Sequence, residues 1–110
     1  MAKYECTITG DFDGVLRRLH DGVMNGSASA SYEDGSDYES GDFRCAARVY
    51  ERYSAIGGNR VSLSVTLAGS GEELFVSAIT SGGSQAMFLK VNTLGESAFL
   101  NSVRNALDAL

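Results

Sequence analysis

The sequence contains no proline, no tryptophan, one histidine and two cysteines among its 110 residues. Its longest apolar run is only a few residues, which is too short to cross a bilayer, and the N-terminal residues lack the apolar stretch of a signal peptide. Basic residues are also scarce, because 9 Lys and Arg face 14 Asp and Glu and leave a net charge of −5. These absences argue against membrane insertion, secretion and general nucleic-acid binding, and they predict a cytoplasmic protein.

Residues that carry metal, redox or catalytic chemistry are equally scarce. Cys6 and Cys45 stand far apart and in no C-x-x-C or Cys/His pattern, so we interpret both as buried free thiols. His20 is the only histidine available to a Ser/His or Cys/His catalytic arrangement, and it lies at the edge of an apolar stripe, where an ordinary boundary residue is expected. The sequence therefore offers no positive evidence for a metal, a cofactor or an enzymatic activity.

What is present predicts one folded domain over residues 1–110. The chain is 44% hydrophobic and 21% charged, which is too apolar for a disordered protein. A chain of this length can bury roughly 60–70% of the surface that its unfolded form exposes, so it needs neither disulfides nor a structural metal.

The N-terminal residues predict a strand followed by a helix. Over residues 3–9 apolar and polar residues alternate, which is typical of a strand with one buried face formed by Tyr4, Cys6 and Ile8. Asp11 is a candidate helix N-cap, and we expect the helix to end at Asn25 and Gly26, with the glycine in a left-handed conformation. Five apolar residues form the helical stripe: Phe12, Val15, Leu16, Leu19 and Val23. Gly14 and Gly22 weaken this helix, so it should depend on packing.

The next segment predicts a short strand and then an acidic turn. Residues 27–33 alternate with the small Ala28 and Ala30 facing inward. Residues 34–42 are rich in Gly, Ser and carboxylates and predict a turn or an irregular hairpin. The carboxylates of this segment do not match the spacing of an EF-hand, so metal binding is not expected there.

Residues 43–53 fit two patterns. As a strand, Phe43, Cys45, Ala47 and Val49 share the inward face; as a helix, the shared face would be Phe43, Ala46, Ala47, Tyr50 and Tyr53. We favour the strand, because residues 60–68 form a clear strand with Val61, Leu63, Val65 and Leu67 inward, and Gly57-Gly58-Asn59 is a hairpin signal between the two. If odd-numbered residues point inward on both strands, a three-residue loop must pair Tyr53 with Leu63 and Val49 with Leu67.

The remaining residues predict two more strands and a final helix. Residues 74–80 follow a turn at 69–71, and residues 86–92 follow a turn at 81–85. Residues 93–96 fit a capping box, and the apolar stripe of the helix after it consists of Phe99, Leu100, Val103, Ala106, Leu107 and Leu110.

The resulting order, β-α-β-β-β-β-β-α, predicts an α+β two-layer sandwich. One antiparallel sheet of five to six strands would carry two helices on one face. In outline the order resembles a trimmed helix-grip domain or one half of the TATA-binding-protein fold, a likeness of topology that implies no function.

Two sets of residues are candidates for binding. In the strand interpretation, a basic and hydroxyl-rich patch lies on the sheet face away from the helices, and it contains Arg44, Arg48, Tyr50, Arg52, Arg60, Ser62, Ser64 and Thr66. Such a patch suits an interface or an anion site, although a plain solvated sheet face has the same composition. The second set, Gly82, Gly83, Ser84 and Gln85, offers backbone N–H groups to an anion or simply forms a hairpin turn.

Several stretches of the C-terminal two-thirds resemble a known family. They are residues 48–54 (RVYERYS), 57–63 (GGNRVSL), 81–85 (SGGSQ) and 95–96 (GE). They are similar to a family of small uncharacterised bacterial proteins, a domain of unknown function. The resemblance implies a bacterial cytoplasmic protein of about this length and transfers no catalytic residue.

Two functions are compatible with these observations. The first is a noncatalytic interaction module, a homodimer formed through the Arg/Tyr/Ser sheet face. The second is a small-molecule-binding protein with a pocket between helices and sheet, suggested by the small Ala28, Ala30 and Ala47. Neither hypothesis involves nucleic acid or a membrane.

Overall fold

A computed structural model describes residues 2–26, 29–53, 60–82 and 100–108. The elements are β1 (Ala2–Thr9), α1 (Phe12–Asn25), β2 (Ser31–Ser40), β3 (Phe43–Tyr53), β4 (Arg60–Ser70) and β5 (Glu73–Gly82), and residues 100–108 are helical. Every strand pairing is antiparallel, and the strand order in the sheet is β1-β5-β4-β3-β2. The α+β layout predicted from the sequence is confirmed for these residues. The predicted strand over residues 86–92, the capping box, Phe99 and Ala28 lie outside them.

Both described helices pack on one face of the sheet. The helical stripe of α1 is buried at Phe12, Val15, Leu19 and Val23, as predicted, and the core also includes Leu100, Val103 and Ala106 of the C-terminal helix. From the sheet, β4 and β5 supply the largest share: Val61, Leu63, Val65, Leu67, Leu74, Val76 and Ala78. In the following text this side of the sheet is called the helix face, and the opposite side is called the open face.

The ends of α1 differ in how well the sequence predicted them. The Asp11 carboxylate accepts a hydrogen bond from the Gly14 backbone N–H at 2.9 Å, so the predicted N-cap is confirmed. Gly26 is the C-cap, but its φ of −76° is right-handed, so the predicted left-handed conformation is wrong. A Cβ at Gly26 would lie 2.6 Å from the Ser102 hydroxyl, and a Cβ at Gly22 would lie 2.5 Å from that of Ala106. These glycines are needed because the C-terminal helix packs against them.

For residues 34–42 the sequence left a turn or an irregular hairpin open, and the structure shows a bulged hairpin formed by β2 and β3. Strand β2 runs to Ser40 along the edge of the sheet, paired with β3, and only Gly41 and Asp42 form the turn. Gly41 has a φ of +57°, as glycine has at the first position of a type II′ hairpin turn. The sequence shows no alternation here because nearly every residue of β2 is exposed, so no buried face imposes one. A bulge between Tyr32 and Asp34 also shifts the register of β2 against β3 and so interrupts any alternation.

The strand prediction for β3 is confirmed, but its predicted inward face is wrong. Tyr50 pairs with Leu63 and Ala46 with Leu67, three residues from the predicted partners Tyr53 and Val49. An odd shift reverses the two faces of a strand, so the even-numbered residues of β3 point toward the helices. Accordingly Ala46 and Tyr50 are buried, whereas Phe43 is 39% exposed. The predicted loop at residues 57–59 lies outside the described residues.

Candidate functional site

The open face has an uncharged centre. Three neighbouring rows of paired residues cross strands β5, β4 and β3, and they consist of Phe75–Ala68–Cys45, Ser77–Thr66–Ala47 and Ile79–Ser64–Val49. We call these residues the central patch. Phe75 and Ile79 are 39% and 40% exposed, which is high for large apolar side chains on a small protein. Among the described residues, both helices lie on the other face and leave this patch uncovered.

Two ion pairs within the chain lie on the open face around the central patch. On β1, Lys3 lies 3.7 Å from the Glu5 carboxylate, which also accepts a hydrogen bond from the Ser77 hydroxyl. At the other end, Arg60 forms an ion pair with Glu51, and the Ser62 hydroxyl donates to the same carboxylate. The face therefore resembles a protein interface in outline, with an uncharged middle and a polar rim.

A groove of about 730 Å³ occupies one end of the open face. Its floor is formed by the small residues Ala68, Gly69 and Ser70, and Phe43 and Phe75 stand on either side. The rest of its lining comes from β1 and β5: Thr7, Ile8, Thr9, Glu73 and Leu74. Because small residues lie between two aromatic side chains, this end of the face is concave.

The predicted basic patch is not assembled on the open face. Arg60 and Ser64 lie there, as expected, but Arg44, Arg48, Tyr50 and Arg52 lie on the helix face because the register of β3 is shifted. Gly82 is the last residue of β5, and Gly83, Ser84 and Gln85 lie outside the described residues. The prediction that these arginines share one exposed face with the serines of β4 is therefore wrong.

Arg44 joins β3 to the start of α1. Its guanidinium donates two hydrogen bonds to the Asp13 carboxylate, at 2.9 and 3.1 Å, and lies 4.1 Å from the centre of the Phe12 ring. Glu39 of β2 approaches the same guanidinium at 3.6 Å. The hydrogen bonds from Arg44 lower the pKa of the Asp13 carboxyl below its usual range.

Arg48 fastens the bulged edge strand β2 to β3. One of its nitrogens donates to the backbone oxygens of Ser36 and Ala47, and the other donates to the Asp37 carboxylate at 2.9 Å. Only 18% of the Arg48 side chain is exposed. The donors of Arg44 and Arg48 are thus engaged by groups of the same chain, and both residues act in the fold as links between elements.

Tyr50 is the most deeply placed polar side chain of β3. It is 1% exposed, and its hydroxyl lies 2.9 Å from the Nδ1 atom of His20, with which it is hydrogen-bonded. The Tyr32 ring packs edge-on against both, at 5.7 Å from Tyr50 and 5.9 Å from His20. Burial raises the pKa of Tyr50 to about 12, because the protein interior disfavours the phenolate. His20 is thus a boundary residue that satisfies a buried phenol.

Neither a metal centre nor a membrane-spanning helix occurs in the part of the chain that the structure describes. No group of three His, Cys, Asp or Glu side chains converges there as metal ligands would. None of the described helices has the length and apolar character needed to cross a bilayer. Cys6 and Cys45 are both free and partly buried.

The described residues form a two-layer α+β protein in which the helices cover one face of an antiparallel sheet. Residues 1–110, the whole chain, match a family of unknown function, DUF6054, and the protein belongs to this family. The comparison with curated proteins gave no match. The family resemblance noted from the sequence is thereby confirmed, without a biochemical role for any residue.

Sequence reasoning missed the residues that shape the open face. Phe75 and Ile79 lie on β5, in which Leu74, Val76 and Ala78 are buried on the helix face. That strand is apolar on both faces, which is typical of a strand covered on both sides. Apolar residues on both faces of β5 were therefore the sequence signal that its second face is suited to packing.

Proposed function

We propose that this protein is a noncatalytic interaction module that forms a homodimer through the open face of its sheet. The observation that carries the proposal is the central patch, which exposes Phe75 and Ile79 in an uncharged setting on a protein of net charge −5. Two copies of an acidic chain repel each other over most of their surface. The central patch is a place where they can approach without opposing like charges.

The size of the open face suits a dimer. Five strands about 4.8 Å apart, followed over about eight residues each, cover roughly 600 Å² before the relief of the side chains is counted. A stable interface of standard size buries about 800 Å² per partner. The patch contributes Phe75 and Ile79 to the interior of the open face, away from its charged rim, where interfaces gain most of their binding energy. The proposal includes the expectation of a bacterial, cytoplasmic protein.

Native mass spectrometry of the gently purified protein tests this function. We expect the mass of a dimer for the natural chain and of a monomer for Thr66→Asp, which places a carboxylate in the middle of the central patch. Asn101→Asp is the matched control, because it adds the same charge on an exposed position of the C-terminal helix and should leave the dimer intact. A bare monomer of the natural chain, or a Thr66→Asp dimer as stable as the control, would overturn the proposal.

The second candidate remains a small-molecule-binding protein. The proposed space between helices and sheet is occupied in the described residues by buried side chains such as Phe12, Val23 and Val103. The observation that favours a ligand is the groove between Phe43 and Phe75 on the open face. In the same experiment, a bound small molecule would appear as extra mass beyond that of the protein chain or chains, and this mass would disappear on denaturation. That result would support this function and would count against a dimer that covers the groove.

A further inference from the structure

The side chains of the central patch change in size from strand to strand. The middle strand β4 carries only small residues on the open face, from Ser62 to Ser70. On one side, β5 raises the two large side chains Phe75 and Ile79. On the other side, β3 offers the smaller Cys45, Ala47 and Val49, each in register with a residue of β5 across β4.

We propose that two copies pack open face to open face about a two-fold axis that runs parallel to β4 between the sheets. This inference rests on the proposed homodimer and assigns its geometry. Such an axis places β4 against β4 of the second copy and β5 against the second copy's β3. Phe75 then lies over Cys45 of the second copy and Ile79 over its Val49, so the large side chains of each sheet fill the low side of the other.

The outermost strands agree with the same axis. It places β1 against β2 of the second copy, because these strands lie at equal distances on either side of β4. Lys3 is in the row of Ile79 and Asp34 is in the row of Val49, so the ammonium of one copy approaches the carboxylate of the other. The charges are complementary at both edges, since a two-fold axis repeats each contact.

Other arrangements of two copies are less favourable. An axis perpendicular to the strands places β5 on β5, so Phe75 and Ile79 meet large side chains while β3 faces β3 across a gap. Pairing through the edge strand β2 opposes its carboxylates, which include Glu33, Asp34, Asp37 and Glu39, and like charges on paired strands are destabilising. The arrangement about β4 is the one that places large side chains over small ones and Lys3 over Asp34; it also brings the two copies of Arg60 together, each paired with the Glu51 of its own chain.

Cross-linking between cysteines tests the axis. The Phe75→Cys variant retains Cys45, and a short bifunctional thiol reagent should join position 75 of one copy to Cys45 of the other. We expect several-fold more covalent dimer on a denaturing gel than for the natural chain, which has Cys45 alone on this face. Within one chain these two positions lie two strands apart, about 10 Å, so a bridge between them would leave a monomer band.

Ile79→Cys is the matched control, because Ile79 has the same exposure and stands on the same strand as Phe75 but faces Val49 of the second copy. It should cross-link little.

A second pair, Ile79→Cys with Val49→Cys in a Cys45→Ala background, should again give covalent dimer and tests the axis if Phe75 itself is needed for association. A protein that is dimeric by native mass spectrometry but gives equal cross-linking at 75 and 79, or none with either pair, would overturn this axis and leave the proposed homodimer standing. A monomeric protein would overturn both.

Discussion

The two faces of this sheet are built from the same strands, but the side chains of one face are buried under helices and those of the other are half-buried or exposed. On the helix face, Val61, Leu63, Val65 and Leu67 of β4 are fully or almost fully buried under α1 and the C-terminal helix. On the open face, the residues between them are Ser62, Ser64 and Thr66, and the exposed apolar side chains come from the neighbouring strand β5. The helix face stabilises the folded chain, whereas the described helices leave the open face uncovered.

The largest difference between the faces should appear when adjacent residues of β4 are truncated. Leu63→Ala removes a side chain that is 0% exposed and should lower the free energy of unfolding by about 2–5 kcal/mol, through lost burial and the cavity left behind. Ser64→Ala, one residue along on the open face, should change it by less than about 0.5 kcal/mol. Urea unfolding at a low protein concentration measures both. Similar losses for the two variants would contradict the assignment of the faces.

The close contact between the helices gives the next largest effect. Gly22→Ala brings a methyl group to 2.5 Å from the Cβ of Ala106 and should cost about 1–3 kcal/mol, despite a gain of about 1 kcal/mol in helix propensity. Thermal unfolding of this variant, of Ala106→Gly and of the double variant forms a cycle. The double variant should recover part of the loss. Additive effects would show that the two helices do not meet at these residues.

The buried phenol of the helix face predicts a smaller loss and a pH dependence. Tyr50→Phe should lower stability by about 0.5–1.5 kcal/mol, because the hydrogen bond to His20 is lost. The pKa of Tyr50 is raised to about 12, so the unfolded chain releases this proton first as the pH rises. The stability linked to Tyr50 is therefore present below about pH 10, the usual phenol pKa, and is lost as the pH rises through about 12.

Tyrosinate absorbance follows this titration. In the natural chain, Tyr50 should ionise only as the pH approaches about 12, and this late component should be reduced in Tyr50→Phe. Tyr38→Phe is the control, because Tyr38 is 63% exposed on the edge strand and its removal should leave the late component in place. A natural chain without this late component would contradict the burial of Tyr50.

The smallest effect is expected at the rim of the helix face. Asp13→Asn removes the carboxylate that accepts two hydrogen bonds from Arg44, and it should destabilise the protein only slightly because the side chain of Asp13 is 65% exposed. The pKa of Asp13 is lowered in the folded chain, so its contribution is present above the usual carboxyl pKa and is lost as the pH falls through the lowered value.

Unfolding of the natural chain and of Asp13→Asn should therefore differ at neutral pH and converge in acid. Added salt should also reduce the difference, since exposed charges are screened. A difference that persists unchanged in acid would show that Asp13 acts in some way other than through its charge.

The sequence predicted those parts of the fold in which one face is buried. The alternation in β1 and β4 and the stripes of both helices were visible because burial on a single side leaves a period in the sequence. Strand β2 left no such period, because it lies at the edge and is exposed on both faces. Its Gly and Asp residues therefore suggested a turn or an irregular hairpin.

The candidate site was less predictable because it depends on the register of β3. This strand has small or apolar residues on both faces, so its pattern fits either orientation, and the arginines were placed away from the helices. In the structure, the side chains of Arg44 and Arg48 cover part of the helix face while their charged ends reach carboxylates at its edge. Periodicity alone does not distinguish such an arginine from a solvent-facing one.

The measurement that tests the difference between the faces most directly is the broadening of methyl resonances by a soluble paramagnetic agent. In the natural chain, the methyl groups of Val49, Ala68 and Ile79 on the open face should be protected, and in Thr66→Asp they should broaden strongly. The methyl groups of Leu63 and Val76 on the helix face should stay protected in both. If the open-face methyl groups of the natural chain broaden as strongly as those of Thr66→Asp, the open face is not an interface between two copies and the account is wrong.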